Sequence, residues 1–350
     1  MNSFKSYLVL AAITSLLLVN KSFALKYAAK EHDLQVDNAL PNWVPREVSV
    51  QPEEELNLVG ADIMDEITLG WIKLFRPAYP HLSVTMEARA SGSGVPALTS
   101  GIAHAAPVGR EALPKEHDDF VKKFGYEPFA IKVATGSLGS LGKTATSVIL
   151  VAKDNPIQGL TLAQLDAIYS TSRLRGHSAV STWGDLGLTG DWATRSIYLY
   201  GLKSPNGIEQ YFKWQVMNGG VYKENIHFLK GKGFTHAFTV ASNDMHTQIG
   251  GLTYAMLANL TPDVKVVPLA KDESGPFIEP TIQSVYTHQY PLSRFVYIYL
   301  NRKPGTPIEP KVKEFLKLVL SKQGQQVVAS EGVFLPLTPE VVKEELAKLE

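Results

Sequence analysis

The residues best placed for chemistry lie in one run, Tyr200-Gly201-Leu202-Lys203-Ser204-Pro205-Asn206-Gly207-Ile208-Glu209-Gln210-Tyr211-Phe212. A strand-like stretch, Ser196 to Tyr200, ends in a glycine turn. A short polar loop follows, and a helical pattern runs from Ile208 to Met217. The first N–H groups of a helix have no partner within it, and they favour a negative ligand. The chemistry this frame predicts is noncovalent capture of an anion. The side chains that would clinch an oxyanion, an Arg or a Ser-Gly-Thr, are missing from the run. Lys203 is its cation, and it reads equally as a solvated loop residue.

Other polar clusters carry less. Ser91-Gly92-Ser93-Gly94, between a strand and a helix, could offer hydroxyls and N–H groups to a ligand, or be a plain turn with a Ser helix cap. Asp62 also follows a strand and precedes a helix, so it is an N-cap or a ligand group. Gly136 to Thr144 (GSLGSLGKT) has five residues between its first Gly and Gly-Lys-Thr, where a nucleotide loop has four, and a strand follows it where a helix is needed. It reads as a loop near a hinge. The nine His residues give no H-E-x-x-H; His236 and His246 stand in a polar segment and read as surface residues. No nucleophile–base pair can be named, so neither a catalytic residue nor a metal or cofactor site is expected.

These candidates sit in a chain of 350 residues, enough for two lobes. Hydrophobic content of 45% with 19% charged residues describes a globular body. The beginning reads as an export signal: Lys5, the apolar run Tyr7 to Val19, then Ser22-Phe23-Ala24 at a cleavage site. Loss of residues 1–24 removes Lys5 and Lys21, which lowers the basic count from 34 to 32 against 34 acids, a net charge of −2. Such a balance gives no electrostatic case for nucleic acid or an anionic membrane as partner. Cysteine is absent, which excludes disulfides, thiolate catalysis and a lipid-modified Cys anchor.

Along the chain, 25–54 is polar, punctuated by Pro41, Pro45 and Pro52, and reads as an extended arm. Glu55 to Val59 is strand-like. Ile67, Trp71, Leu74 and Phe75 recur at helical spacing before Pro80. Leu82 to Ala88 alternates as a strand, and Val95 to Ser100 begins a helix. This βαβα start predicts an α/β fold, a sheet sandwiched by helices. Ser147 to Val151 reads as a buried strand, Thr161 as a helix cap, and Phe295 to Leu300 as a strand. Helices are expected over 310–320, 324–330 and 339–349.

In this order the segments resemble the periplasmic phosphate-binding protein family, the solute receptors of phosphate ABC importers. Gly60-Ala61-Asp62-Ile63 is similar to the family's Gly-Ser-x-Thr loop, Ser91 to Gly94 to its Gly-Ser-Gly loop, and Val108-Gly109-Arg110-Glu111 to its Ser-Arg-Glu segment. Asp154-Asn155-Pro156, Leu160 to Leu165, Trp183 to Leu186, Gly250 to Tyr254 and Tyr290-Pro291-Leu292-Ser293-Arg294 follow in sequence. The resemblance implies a two-lobed fold, each lobe a mixed sheet flanked by helices, joined by two hinge strands. Lobe one would be 55–143 plus 253–350, and lobe two 144–252. It implies a monomeric, non-enzymatic receptor in the periplasm that holds a small oxyanion or other solute and meets an importer permease. The ligand would meet Ala61, Asp62, Ile63, Ser91, Gly92, Ser93, Gly109, Lys203, Asn206, Gly207 and Ile208. Departures fall at that site. The family's clamping Arg corresponds to Leu202, its Ser-Gly-Thr to Asn206-Gly207-Ile208, the Ser or Asp of its Ser-Arg-Glu segment to Gly109, and its first-loop Thr to Ile63. A buried phosphate without a bidentate Arg is poorly compensated, so phosphate affinity is expected to be weak, lost or replaced. The alternative is a receptor fold reused as an interaction or scaffold protein with a vestigial cleft.

Overall fold

The computed structural model describes residues 30–47, 54–140, 142–203, 206–229, 239, 241–245 and 247–350. The expected export signal, Ser204-Pro205, Leu141, His236 and His246 lie outside them. The chain first lays down β1 (Glu55–Ala61), a 3-10 turn (Asp62–Met64), α1 (Asp65–Phe75), β2 (Ser83–Arg89), α2 (Gly94–Ser100), β3 (Ala105–Val108), α3 (Pro114–Phe124) and β4 (Phe129–Thr135). It crosses into β5 (Ser147–Ala152), β6 (Leu160–Thr161), α4 (Leu162–Tyr169), β7 (Tyr198–Gly201), α5 (Gly207–Met217), β8 (His227–Phe228), β9 (Gly251–Met256), β10 (Val264–Val267), β11 (Leu269–Ala270) and α6 (Ile282–Tyr286). It returns through β12 (Phe295–Leu300), α7 (Pro310–Val319), α8 (Lys322–Glu331) and α9 (Pro339–Ala347).

Two mixed five-stranded sheets result, ordered β2-β1-β3-β12-β4 and β10-β5-β9-β7-β8. In the first, β1 runs parallel to β2 and β3, and β12 runs antiparallel to β3 and β4. The parallel strands therefore end on the same edge, and their following loops gather there. The second sheet holds a surprise for the expected lobe boundary at Thr253. β9 pairs with β5 (Ile149 opposite Tyr254), and β10 pairs with the other edge of β5 (Val267 opposite Ile149). Every residue of Gly251–Met256 is buried, which suits a central strand. Gly250-Gly251 thus marks entry into a strand and not a change of lobe. After β10 the chain pairs β11 with β6 in a separate two-stranded sheet, and it stays with the second core through Val285, Tyr290 and Leu292.

Each lobe has its own apolar core. In α1, Ile67, Trp71 and Phe75 face inward at a spacing of four residues. The Trp71 indole N–H donates to the Gly324 carbonyl at 2.8 Å, pinning α1 against α8. Thr161 caps α4 as expected: its hydroxyl accepts the Gln164 N–H at 3.1 Å, and the Gln164 side chain accepts the Thr161 N–H at 2.9 Å. In the second core the Tyr254 ring stacks on Phe212 (4.2 Å, 19°). Its hydroxyl accepts the Leu202 N–H at 2.8 Å, which holds the chain where it leaves β7.

The two crossings bond to each other. Gly136 N–H donates to the Arg294 carbonyl at 2.8 Å. A Cβ on Gly136 would come within 2.3 Å of the Thr144 carbonyl oxygen, so this close passage requires glycine. The Gly136–Thr144 segment therefore lies at the crossing between lobes. The arm ties into it: the Glu31 carboxylate accepts the N–H groups of Leu138 and Gly139 at 2.9 and 3.0 Å. Among the described residues no helix is long and apolar enough to cross a membrane.

On the return crossing, His288 adopts φ 54°. Its ring stacks on Phe295 at 3.7 Å, and Nε2 lies 2.8 Å from the Thr135 hydroxyl. Burial, then the charges of Lys132 and Lys271, lowers its pKa from 6.5 to about 4. The unfolded chain takes up this proton near pH 6.5 and the folded chain does not. Stability from His288 is thus full above pH 6.5 and falls as pH drops towards about 4, by up to ~3 kcal/mol. His288→Asn, which tolerates the left-handed backbone, should flatten that acid-side slope in urea unfolding at pH 7 and 4.5. Equal losses in both proteins would refute this. Tyr254→Phe keeps the stacked ring but leaves the Leu202 N–H unpaired. It should lose about 1–3 kcal/mol with an unchanged denaturant slope, and a loss below about 0.5 kcal/mol would contradict the assigned bond.

Candidate ligand cleft

The loops after β1, β2 and β3 meet the start of α5 around a cavity of about 260 Å³ between the lobes. Ile63, Ser91, Gly109, Asn206, Gly207 and Ile208 line it, six of the residues expected from the sequence. Ala61, Asp62, Gly92, Ser93 and Lys203 do not. Ala61 is wholly buried as the last residue of β1. Asp62, Gly92 and Lys203 are exposed outside the cavity. Ser93 neither caps α2 nor lines the wall; its hydroxyl donates to the Ala90 carbonyl at 2.8 Å.

The helix start forms as predicted, but one of its donors is already used. Asn206 sits at the N-cap of α5, and its side-chain oxygen accepts the Ile208 N–H at 2.9 Å. The first loop behaves alike. The Asp62 carboxylate turns back and accepts the Ile63 N–H at 3.0 Å. Two amides that could greet an anion are thus bonded to the protein's own oxygens, one of them a carboxylate.

Two departures from the family pattern fit each other. A Cβ on Gly109 would lie 2.2 Å from the Ile63 Cδ1. Ile63 therefore occupies the space that a Ser or Asp at 109 would need, and the pair replaces two polar groups by one alkyl chain. Leu202 is 5% exposed and belongs to the core of the second lobe. It packs inward and does not line the cavity, so that position supplies neither charge nor wall.

Two guanidinium groups do line the cavity, and both stand in segments that carried the resemblance. Arg110 follows Gly109. Both Glu116 oxygens hold it, at 2.7 and 2.9 Å. Glu116 also accepts the Leu113 N–H at 2.9 Å at the start of α3, so one carboxylate caps a helix and aims an arginine. A Cβ on Gly207 would lie 3.0 Å from Arg110 Cδ, which shows how closely lobe one approaches α5. Arg294 is 4% exposed. It donates to Glu111 at 2.8 Å and lies over the Tyr211 ring at 4.5 Å. Although burial opposes the charge, Glu111 holds its pKa above the ordinary value. Its Nε has no acceptor among the described residues. Thr144, Ala145 and Met256 complete the wall; the Thr144 hydroxyl donates to the Gly109 carbonyl. Thr144 closes the Gly136–Thr144 run read from the sequence as a loop near a hinge, whereas no motif drew attention to Ala145 or to Met256 of β9.

A second cavity of about 340 Å³ opens beyond Tyr211, beside Trp214, Phe295 and Tyr297. Of the expected residues it takes in Gly207 alone. Among the described residues no group of three or more His, Asp or Glu side chains could hold a metal ion. The cleft is therefore a binding surface of paired arginines, short polar groups and alkyl side chains.

The model for the PBP superfamily domain matches residues 48–323. A phosphate-binding protein PstS of Pseudomonas aeruginosa PAO1 is 38% identical over 315 residues, 90% of this chain and 92% of its own. PstS of Staphylococcus aureus MRSA252 is 29% identical over 202 residues, 57% of this chain and 56% of its own. An ABC-type phosphate transport receptor from Vibrio cholerae superposes with a TM-score of 0.49 at 16% identity, over 80% of this chain and 100% of that one. By the match over most of its length and the identity to the Pseudomonas protein, the chain belongs to the periplasmic phosphate-binding protein family of the PBP superfamily.

Proposed function

We propose that the protein is an extracytoplasmic solute receptor that captures a small ligand between its lobes and presents it to an ABC-type importer. It performs no chemistry of its own. The export-signal pattern at residues 1–24 and the relatives named PstS support this reading. The importer is the partner that such a receptor requires.

In this reading phosphate is held weakly. One observation carries it: the Ile208 and Ile63 N–H groups bond to Asn206 and Asp62. A dianion could use those two amides only by displacing both oxygens, one of them on the Asp62 carboxylate just outside the cavity. The two arginines of the cavity are tied to Glu116 and Glu111. Removing a phosphate from water without unshared cationic donors is costly, because its hydration must be replaced in full. The high identity to a protein named for phosphate binding points the other way. The local chemistry supports the weaker affinity, since a site is set by its own groups and not by the fold around it.

The self-capped loops also favour a second reading, an interaction protein whose cleft no longer takes a solute. A melting scan against a small-molecule library separates the two. A saturable rise marks a receptor, whereas silence, together with a partner captured by pull-down, marks a scaffold.

Isothermal titration of ligand-stripped protein with phosphate tests the weak-phosphate reading. Saturation is expected only above about 1 µM, a binding free energy weaker than about −8 kcal/mol. Sub-micromolar affinity would overturn it.

A further inference from the structure

The same cavity narrows the class of solute, on the premise that the protein is a receptor. Its ionisable lining is Arg110 and Arg294, and each already faces one carboxylate, Glu116 or Glu111. The two pairs sum to zero charge. A dianion would leave two negative charges with only shared donors around them, whereas a monoanion leaves one. One donor still lacks a partner: the buried Nε–H of Arg294. A buried charged donor without an acceptor is unfavourable; in the present arrangement it is closed off, and a ligand oxygen could satisfy it once the lobes part.

Beside the arginines the wall holds Ser91, Thr144 and Asn206, and the rest of its side chains are alkyl. Ile63 reaches over Gly109, and Ile208, Ala145 and Met256 face the same space. Inorganic oxyanions have nothing to place against such surfaces. An organic anion does. An apolar cavity of about 150 Å³ accepts a benzene-sized molecule, so a cavity of about 260 Å³ admits a somewhat larger solute.

We propose that the cleft binds a singly charged organic oxyanion, a carboxylate or sulfonate, carrying an alkyl group of about three to five carbons. Its charged oxygens meet the Arg294 side of the cavity. Its alkyl group packs on Ile63, Ile208 and Met256. Entry requires the lobes to part, since Arg294 is almost fully buried in the present arrangement.

Titration calorimetry and melting curves on the full mature chain test this, with acetate, butyrate, hexanoate, butanesulfonate, phosphate and neutral butanol at matched ionic strength. Butyrate, hexanoate and butanesulfonate should raise the melting temperature saturably. Affinity should rise about fourfold for each methylene added between acetate and butyrate. Ile63→Thr, at a partly exposed position, should weaken butyrate binding about tenfold while the melting curve without ligand stays close to the parent. Affinity that ignores chain length overturns the proposal, and so does silence towards all carboxylates and sulfonates. A response to butanol alone overturns the charge assignment and leaves the receptor reading standing. Sub-micromolar phosphate binding removes this proposal and the weak-phosphate reading together.

Discussion

The Arg294 guanidinium is where the separate parts of the molecule come into contact. Its charge answers Glu111 in the first lobe, and its face covers Tyr211 in the second. Its backbone carbonyl accepts the Gly136 N–H of the other crossing. Tyr211 returns the connection, since its hydroxyl donates to the Ser293 carbonyl at 2.8 Å. A charge so deeply buried needs its counter-ion, which fixes the distance between the β3–α3 loop and the return crossing. The geometry of the cleft follows from that distance.

The cleft shows how a binding frame can persist while its chemistry changes. The strand-loop-helix geometry at β7 and α5 is intact, and so are the loops after β1, β2 and β3. What differs is which oxygen each amide meets and which groups fill the wall. Ile63 and Gly109 are complementary: the larger side chain sits where the smaller residue leaves room. A replacement at either position alone would have produced a clash or a void, both unfavourable in packed protein.

Much of the fold was legible in the sequence. The spacing of Ile67, Trp71 and Phe75 gave α1, and the run Phe295 to Leu300 gave β12 to the residue. Local patterns report local structure, because side-chain periodicity follows directly from helix and strand geometry. They do not report sheet membership, so the expected boundary at Thr253 cuts through β9 and leaves β10 in the first lobe, whereas both pair with β5. The site was legible in outline. Asn206-Gly207-Ile208 spelled a helix start, yet whether the Asn oxygen or a ligand takes the Ile208 N–H is a matter of geometry. Arg110 and Arg294 stood within segments already singled out. Their meeting at one cavity depends on contacts far apart in the chain, and no local pattern encodes that.

The arm before β1 bears on motion. Val36 and Leu40 lie in the core of the first lobe, while Leu34 packs against that of the second. Between them and the crossing, Glu31 receives two backbone N–H groups from the Gly136–Thr144 segment. His32 lies 2.9 Å from the Phe334 carbonyl, which anchors the same stretch to the first lobe. Hinged receptors are usually pictured as two bodies and a pair of connecting strands. Here a third strip of chain, contributing to neither sheet, packs on both cores and bonds to the crossing, so the passage between the bodies is held by more than its two connecting strands.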